Sequence, residues 1–404
     1  MASSSSVYRR LHGLFTGKRK VSVNLKTEQP QTTSTKPTSK LSEKHKLQSI
    51  IDNFKKSSES PEFRNRCANY TAAIRRLEFN SSAIEDIFEH QKQYPEISNE
   101  FFVCRLILLY GTVKMHEHAR KLFDEMPNLK CQRTVFSFNA LLEAYSRAEK
   151  YDIISDLFRE LPEELSIEPD VVSYNTLIKA LWKAGSLDSA PSVMDEMEKH
   201  GIIPDLVTFN TLSNAYYKSK RFSEAEDLWV LMQKKNVDAD LGSYTIRLQG
   251  LVANNQVNEA IELFEEMGKK DIIPKAFSYN IMIKMYVDDR NWEEAERWYV
   301  KMVENGCYPD NATFEKLISF ACDKDNLDFA LELCKKAIAS KVAIHNATMQ
   351  RVVNVLAEHS KLEDAQELVN LAKSCKLYHS RPRRPRSRYK LSLPSSLIVT
   401  HFLR

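Results

Sequence analysis

Glycine is scarce, with nine residues in a chain of 404. That leaves little for the tight turns of sheets and none of the glycine-rich loops that cradle nucleotide phosphates. The seven cysteines are scattered and no CxxC occurs, which excludes the common zinc and disulfide frameworks and fits a reducing compartment. No apolar run approaches the roughly 18 residues that a membrane-spanning helix needs. HExxH, GxSxG and GxxxxGKS are all absent, so the usual signatures of zinc proteases, serine hydrolases and phosphate loops are missing. His116 and His118 stand two apart, on different sides of a helix, and do not make a metal pair. No cofactor, metal, membrane or small-molecule substrate is therefore expected, and the chain reads as a non-enzyme.

What is present is charge, unevenly placed. Residues 1–46 hold ten Lys/Arg against Glu28 and Glu43, and residues 373–404 hold nine Lys/Arg and no acid, so the stretch between them is acidic although the whole chain is at +4. The first 40 residues are rich in serine and arginine, with no long apolar segment, as in a transit peptide for mitochondria or, alternatively, plastids. Residues 378–404, with "SRPRRPRSRYK", read as a basic tail without fixed structure.

The middle repeats itself. "EPDVVSYNTLIKAL" at Glu168–Leu181 returns as "IPDLVTFNTLSNAY" at Ile203–Tyr216. An aromatic falls at Tyr174, Phe209, Tyr244, Tyr279 and Phe314, with a step of 35 residues. Ala190, Ala225, Ala260, Ala295, Ala330 and Ala365 keep that step, as do Met197, Met232, Met267 and Met302. The units run 100–134, 135–170, 171–205, 206–240, 241–275, 276–310 and 311–345, flanked by degenerate ones at 67–99 and 346–377, with a helical cap at 41–66. In each, apolar residues three and four apart predict two amphipathic helices. Ser223 and Glu226 have capping-box spacing for one of them. Gly201 and Gly306 before Pro-Asp mark helix ends. Pro191 falls in a first turn, where proline is tolerated. Two short helices bury their apolar stripes only by stacking on neighbours, which predicts an all-α fold: an α-solenoid of about eight helix-turn-helix repeats, with first helices along its inner strip.

With "VVSYNTLIKALWKAGSLDSA", Met197 and "GIIPD" at 201–205, and close copies after them, the sequence resembles the pentatricopeptide repeat proteins of plant organelles, in their pure-repeat class. The likeness covers about 310 residues. "RTVFSFNALLEAY" and "LSIEPDVVSYNTLIKAL" extend it to a short group associated with mitochondrial ribosomes. The resemblance implies a right-handed superhelix that reads single-stranded RNA one base per unit, through the fifth and last residues of each unit. Asn followed by a final Asp implies uracil. Four units carry it: Asn139/Asp170, Asn175/Asp205, Asn210/Asp240 and Asn280/Asp310. The resemblance places an apolar wall for the base at the second position, here Phe136, Val172, Val207 and Phe277. It places phosphate contacts at the thirteenth, here Arg147, Lys183 and Lys218. In later units the thirteenth residue is Ala253, Asp288 or Asp323. No HxE with PCxxC follows the repeats, so no deaminase is expected in these residues.

One Asn–Asp pair by itself is equally well explained as a helix cap and a turn residue. What favours readout is that the second, fifth, thirteenth and last positions vary together. Three roles stay open: a factor binding messenger or ribosomal RNA, a structural part of the mitochondrial small ribosomal subunit, and a protein-binding scaffold like tetratricopeptide arrays.

Overall fold

The computed structural model describes residues 38–374 apart from Phe79; the expected presequence up to residue 37 and the basic tail lie outside the described residues. It forms two compact units, one ending at Ala215 and the other starting at Tyr216. The described residues contain no strand.

The first unit opens with α1 (Thr38–Ser57) and α2 (Pro61–Asn65), at the expected cap. Then come α3 (Cys67–Arg76), α4 (Ser81–Glu89), α5 (Glu100–Thr112), α6 (His116–Glu125), α7 (Val135–Arg147), α8 (Tyr151–Leu165), α9 (Val171–Lys183) and α10 (Ala190–Lys199). Helix α11 (Leu206–Lys218) contains the division. The second unit continues with α12 (Phe222–Lys234), α13 (Leu241–Ala253), α14 (Val257–Lys269), α15 (Ala276–Asp288), α16 (Trp292–Glu304), α17 (Asn311–Asp323), α18 (Leu327–Ala339), α19 (Asn346–Glu358) and α20 (Leu362–Ser374). Within each unit a first helix packs on its own second helix and on the first helix of the next repeat, the α-solenoid arrangement.

The repeated residues are the core. Tyr174, Phe209, Tyr244, Tyr279 and Phe314 are buried, as are the periodic alanines and methionines. Each fully buried aromatic or methionine contributes about 1.5–3 kcal/mol by leaving water. The aromatics also touch across repeats: Phe158 meets Tyr174 edge-on at 4.9 Å, Trp229 meets Tyr244 at 5.2 Å, and Phe264 meets Tyr279 at 5.0 Å. The ring of one repeat's second helix thus seats the next repeat's first helix, and edge-on pairing adds to area burial.

Two turns per repeat end in the left-handed region. Gly185, Gly201 and Gly306 fill three of these places, and residues such as Lys220, Asn236, Arg290 and Asp325 fill others. A chain with nine glycines therefore builds its turns with side chains that tolerate positive φ at some strain. Pro191 lies in the first turn of α10, after a short 3-10 turn at Leu187–Ser189. The box expected at Ser223 and Glu226 does not form. Helix α12 begins at Phe222 with Arg221 as its N-cap, and Glu226 bonds instead to Arg247 and Tyr217. A neighbouring guanidinium outcompetes the backbone for that carboxylate.

Gly111 on α5 lets that helix pack closely on α7: a Cβ there would lie 2.5 Å from Ala144 Cα. Gly268, in α14, has open space around its Cβ direction. Gly111→Ala is therefore expected to lower stability by about 1–3 kcal/mol through overpacking. Gly268→Ala is expected to raise it by about 0.5–1 kcal/mol. Urea unfolding of both variants, followed by circular dichroism, reads the difference.

Candidate nucleic-acid interface

The last residue of each repeat is the N-cap of the next first helix. Asp170 caps α9, Asp240 caps α13 and Asp310 caps α17, each in a capping box with the Ser or Thr three residues on. Thr134 and Ser137 form the same box on α7. Those third-position residues, Ser137, Ser173, Thr208, Ser243, Ser278 and Thr313, are all buried. Capping there ties a helix start to the interior, and a cap residue is worth about 1 kcal/mol.

The fifth-position asparagine joins this cap from the preceding repeat. Asn139 Nδ2 donates to Asp170 Oδ1 at 2.9 Å, and the same oxygen accepts from the Val172 and Ser173 amides at 3.0 Å. Ser173 Oγ lies 2.6 Å from Asn139 Oδ1 and 3.1 Å from Asp170 Oδ1. A hydroxyl has one proton, and the shorter contact takes it. The second unit repeats the arrangement. Asn280 Nδ2 donates to Asp310 Oδ1 at 3.0 Å, and Thr313 Oγ1 lies 2.7 Å from Asn280 Oδ1. Burial pushes the Asp310 carboxyl up, but the hydrogen bonds from Thr313, Asn280 and the Ala312 amide outweigh it and hold the carboxyl below its usual value.

Asn139 and Asn280 are consequently only 3% and 4% exposed. The expectation that all four amides stand open to a base is corrected at these two. Burial and a neighbouring hydroxyl turn them into inter-repeat braces, each with its carbonyl and one N–H already bonded. Asn175 differs. It is half-buried, its Nδ2 reaches Asp205 Oδ1 only at 3.4 Å, and its buried Oδ1 has no hydrogen-bond partner. Thr208 Oγ1 donates to Asp205 Oδ1 at 3.0 Å instead. An orphaned buried carbonyl is a standing demand for a donor. Asn210 is half-buried, and Asp240 accepts from Ser243 at the start of α13.

Two units without the Asn–Asp pair make the brace with glutamate, whereas in unit 241–275 Thr245 bonds its own helix at Leu241 and Lys275 caps without a side-chain bond. Glu100 Oε1 accepts from the Thr134 amide and hydroxyl and from the Ser137 amide. Glu315 accepts from the His345 amide and ring and from the Thr348 hydroxyl. Glu315 and His345 occupy the fifth and last positions, so the pair fastens the repeat here too.

The second-position residues reach the surface. Phe277 is 55% exposed and Val207 40%, with Phe136 and Val172 half-buried. Phe101, 45% exposed, holds the same position one repeat earlier, its ring centroid 5.9 Å from that of Phe136. Counting the register back into unit 100–134 would have found it. At the thirteenth position Lys183 is exposed, with its ammonium 4.1 Å over the Trp182 ring, and Lys218 is exposed. Arg147 is half-buried, bonded to Glu143 at 3.0 Å and to Thr112 Oγ1 at 3.2 Å. Lys179 also reaches Glu143, at 3.4 Å. The expectation of a free Arg147 is corrected accordingly: a carboxylate four residues back holds it. The two histidines part as expected, His116 against Tyr145 and His118 against Tyr110 and Glu85. No cluster fit for a metal ion occurs among the described residues. No helix among them is long and apolar enough to cross a membrane.

Paired helices in a 35-residue register, each pair braced to the next through a cap, define a helical-repeat protein. A family model for the PPR repeat family matches residues 169–218, 204–253, 239–288 and 274–323, and a PPR repeat model matches 104–131 and 136–164. Together they cover more than half of the chain, which belongs to the pentatricopeptide repeat family. Among its relatives in Arabidopsis thaliana are the small ribosomal subunit proteins mS78 (rPPR3a), 49% identical, and mS79 (rPPR3b), 48% identical. Each match spans 155 residues, which is 38% of this chain and 39% of the relative. A further Arabidopsis pentatricopeptide repeat-containing protein is 43% identical over 48% of this chain and 39% of its own length. A solved structure of the maize pentatricopeptide repeat protein PPR10 aligns with 84% of this chain and 56% of its own, at 17% identity and a TM-score of 0.49.

The braces make two predictions. Asn139→Ala and Asn280→Ala are each expected to cost about 1–3 kcal/mol, because a buried hydroxyl and carboxylate lose their partner, while Asn175→Ala is expected to cost less. Denaturant titration of the three variants ranks them. A depressed folded pKa means that Asp310 stabilises the fold above its unfolded pKa and stops doing so as pH falls through the folded value. Thermal melts of the native chain are expected to decline below about pH 4, and Asp310→Asn to flatten that acid limb.

Proposed function

We propose that this chain is a single-stranded RNA-binding protein of plant mitochondria that acts in organelle RNA metabolism or translation, with its base contacts concentrated where the repeat leaves them available. The observation that carries this reading is Asn175. Its carbonyl lacks a partner, its amide bond to Asp205 is long, and Val172 and the exposed Val207 stand at the wall positions of its own unit and the next. An amide offers a donor and an acceptor to the mixed edge of uracil, and Asp205 accepts from the amide and orients it. Lys183 supplies an exposed charge for phosphate. Asn210 stands at the same position one repeat on, and Asn139/Asp170 and Asn280/Asp310 contribute through the second N–H of the amide and the free carboxylate oxygen. Support for RNA as the ligand also comes from relatives named as ribosomal proteins, and support for mitochondria from relatives so labelled.

A second reading is favoured by one observation, the 48–49% identity to two small ribosomal subunit proteins. On it the chain is a structural part of the small ribosomal subunit and holds ribosomal RNA. Both readings describe a binding protein and assign no catalytic residue.

The native chain is expected to bind a U-rich single strand more tightly than a scrambled one in fluorescence anisotropy. Asn175→Ala with Asn210→Ala is expected to abolish that preference while helicity stays. Each phosphate contact adds about 0.7 to the salt slope, so neutralising Lys183 and Lys218 is expected to weaken both RNAs alike. Equal binding of both RNAs by the native chain would overturn base readout. Co-sedimentation with small subunits through a high-salt wash would favour the ribosomal reading, and release at low salt would exclude it.

A further inference from the structure

The second unit holds a cavity of about 670 Å³ between the ends of α15 and α17, on the layer of first helices. Six charged residues line it: Asp288, Arg290, Glu315, Lys316, Asp323 and Lys324. The sequence presents this region as hostile to an anion, since acids replace the phosphate-facing cations at Asp288 and Asp323. Pairing reverses the picture. Asp288 is bonded by Lys284, Asp323 by Arg351, and Glu315 by His345 and Thr348, and none of these partners lines the cavity. Arg290, Lys316 and Lys324 have no carboxylate within salt-bridge distance among the described residues. Lys324 instead lies 5.8 Å from the Phe320 ring centroid.

Lys316 is the centre of this arrangement. It is half-buried on α17, and burial followed by the Lys284 charge pushes its ammonium pKa down, against the weaker opposing pull of Asp288 and Asp310. A cation so placed lacks compensation that an anion would supply. The Ser319 hydroxyl lines the same space as a further donor. Arg290 sits at a left-handed turn residue, φ 56°, at the cavity's edge.

We propose that this cavity is a phosphate-group site, with the half-buried Lys316 as its anchor and Arg290 and Lys324 as outer contacts. Each of the three acids has a bonding partner outside the lining, and the three lining cations have no carboxylate partner among the described residues, which favours an anion although the composition is balanced. A phosphate group reaches such a site in two ways, as a backbone phosphate of bound RNA or as a free phosphate or phosphomonoester. Only the first rests on the RNA reading above.

The test uses the full chain. Inorganic phosphate is titrated against it at constant ionic strength by calorimetry, and U-rich and scrambled RNA oligomers are titrated by anisotropy at several salt concentrations. Lys316→Gln is the principal variant. The Arg290→Gln/Lys324→Gln double variant changes only exposed side chains and decides alone if Lys316→Gln loses helicity. A backbone-phosphate site predicts that the variants weaken both RNAs equally, with a salt slope smaller by about 0.7 per contact removed. A free-phosphate site predicts about tenfold weaker binding of inorganic phosphate, the loss of one charge-assisted contact, with RNA binding unchanged. If folded variants bind inorganic phosphate and both RNAs as the native chain does, the proposal is overturned. Loss of base preference in the Asn175/Asn210 variant leaves these outcomes unaffected, so the two readings fail separately.

Discussion

One carboxylate oxygen fastens a repeat to its neighbour. Asp170 Oδ1 accepts two amide N–H groups at the start of α9 and the side-chain amide of Asn139 from α7. Capping alone would fix a helix start, and the asparagine alone would be a buried amide in need of partners. Joined, they set the distance and rotation between consecutive first helices. Because the bonds are directional, they set register in a way that the apolar contacts beneath them do not. Glu100 and Glu315 show that the constraint is on the bond and not on the residue type, since a longer acid reaches the same cap when the aspartate is missing.

That constraint bears on function, because the residues that fasten the repeat are the ones a base would have to meet. Where the third-position hydroxyl turns to the asparagine, as at Ser173 and Thr313, the amide carbonyl is already satisfied. Where it turns to the aspartate, as at Thr208, the carbonyl of Asn175 is left bare. A single hydroxyl proton thus divides chemically identical couples into braces and candidate readers. It also makes a short footprint the natural expectation for this array.

The period, the two helices per unit and the buried residues were legible because each repeated position has one physical task. A residue such as Tyr244 or Ala260 is inside for the same reason in every copy. The unit ends were legible because proline, aspartate and the left-handed turn mark them locally. The state of the amides was not legible, since it depends on which of two acceptors a hydroxyl selects. Nor was the failed box at Ser223 and Glu226, where the competitor, Arg247, lies 21 residues from the glutamate. Phe101 was within reach of the register but sat in a unit whose fifth and last residues, Cys104 and Thr134, break the couple.

Charge was the least legible property, and the reason is general. Counting acids and bases along a repeat assumes that each charge faces the groove on its own account. In the first unit the count overstates the free cation, because Glu143 holds both Arg147 and Lys179. In the second it understates it, because Asp288, Glu315 and Asp323 are each bonded to a partner while Lys316 is not. Pairs between neighbouring repeats, such as Lys179 with Glu143 and Arg351 with Asp323, join residues 36 and 28 apart in the chain. The potential along the first helices is therefore a property of how charges pair between neighbouring repeats. An acidic body can offer cationic pockets wherever its carboxylates are already answered by a neighbour.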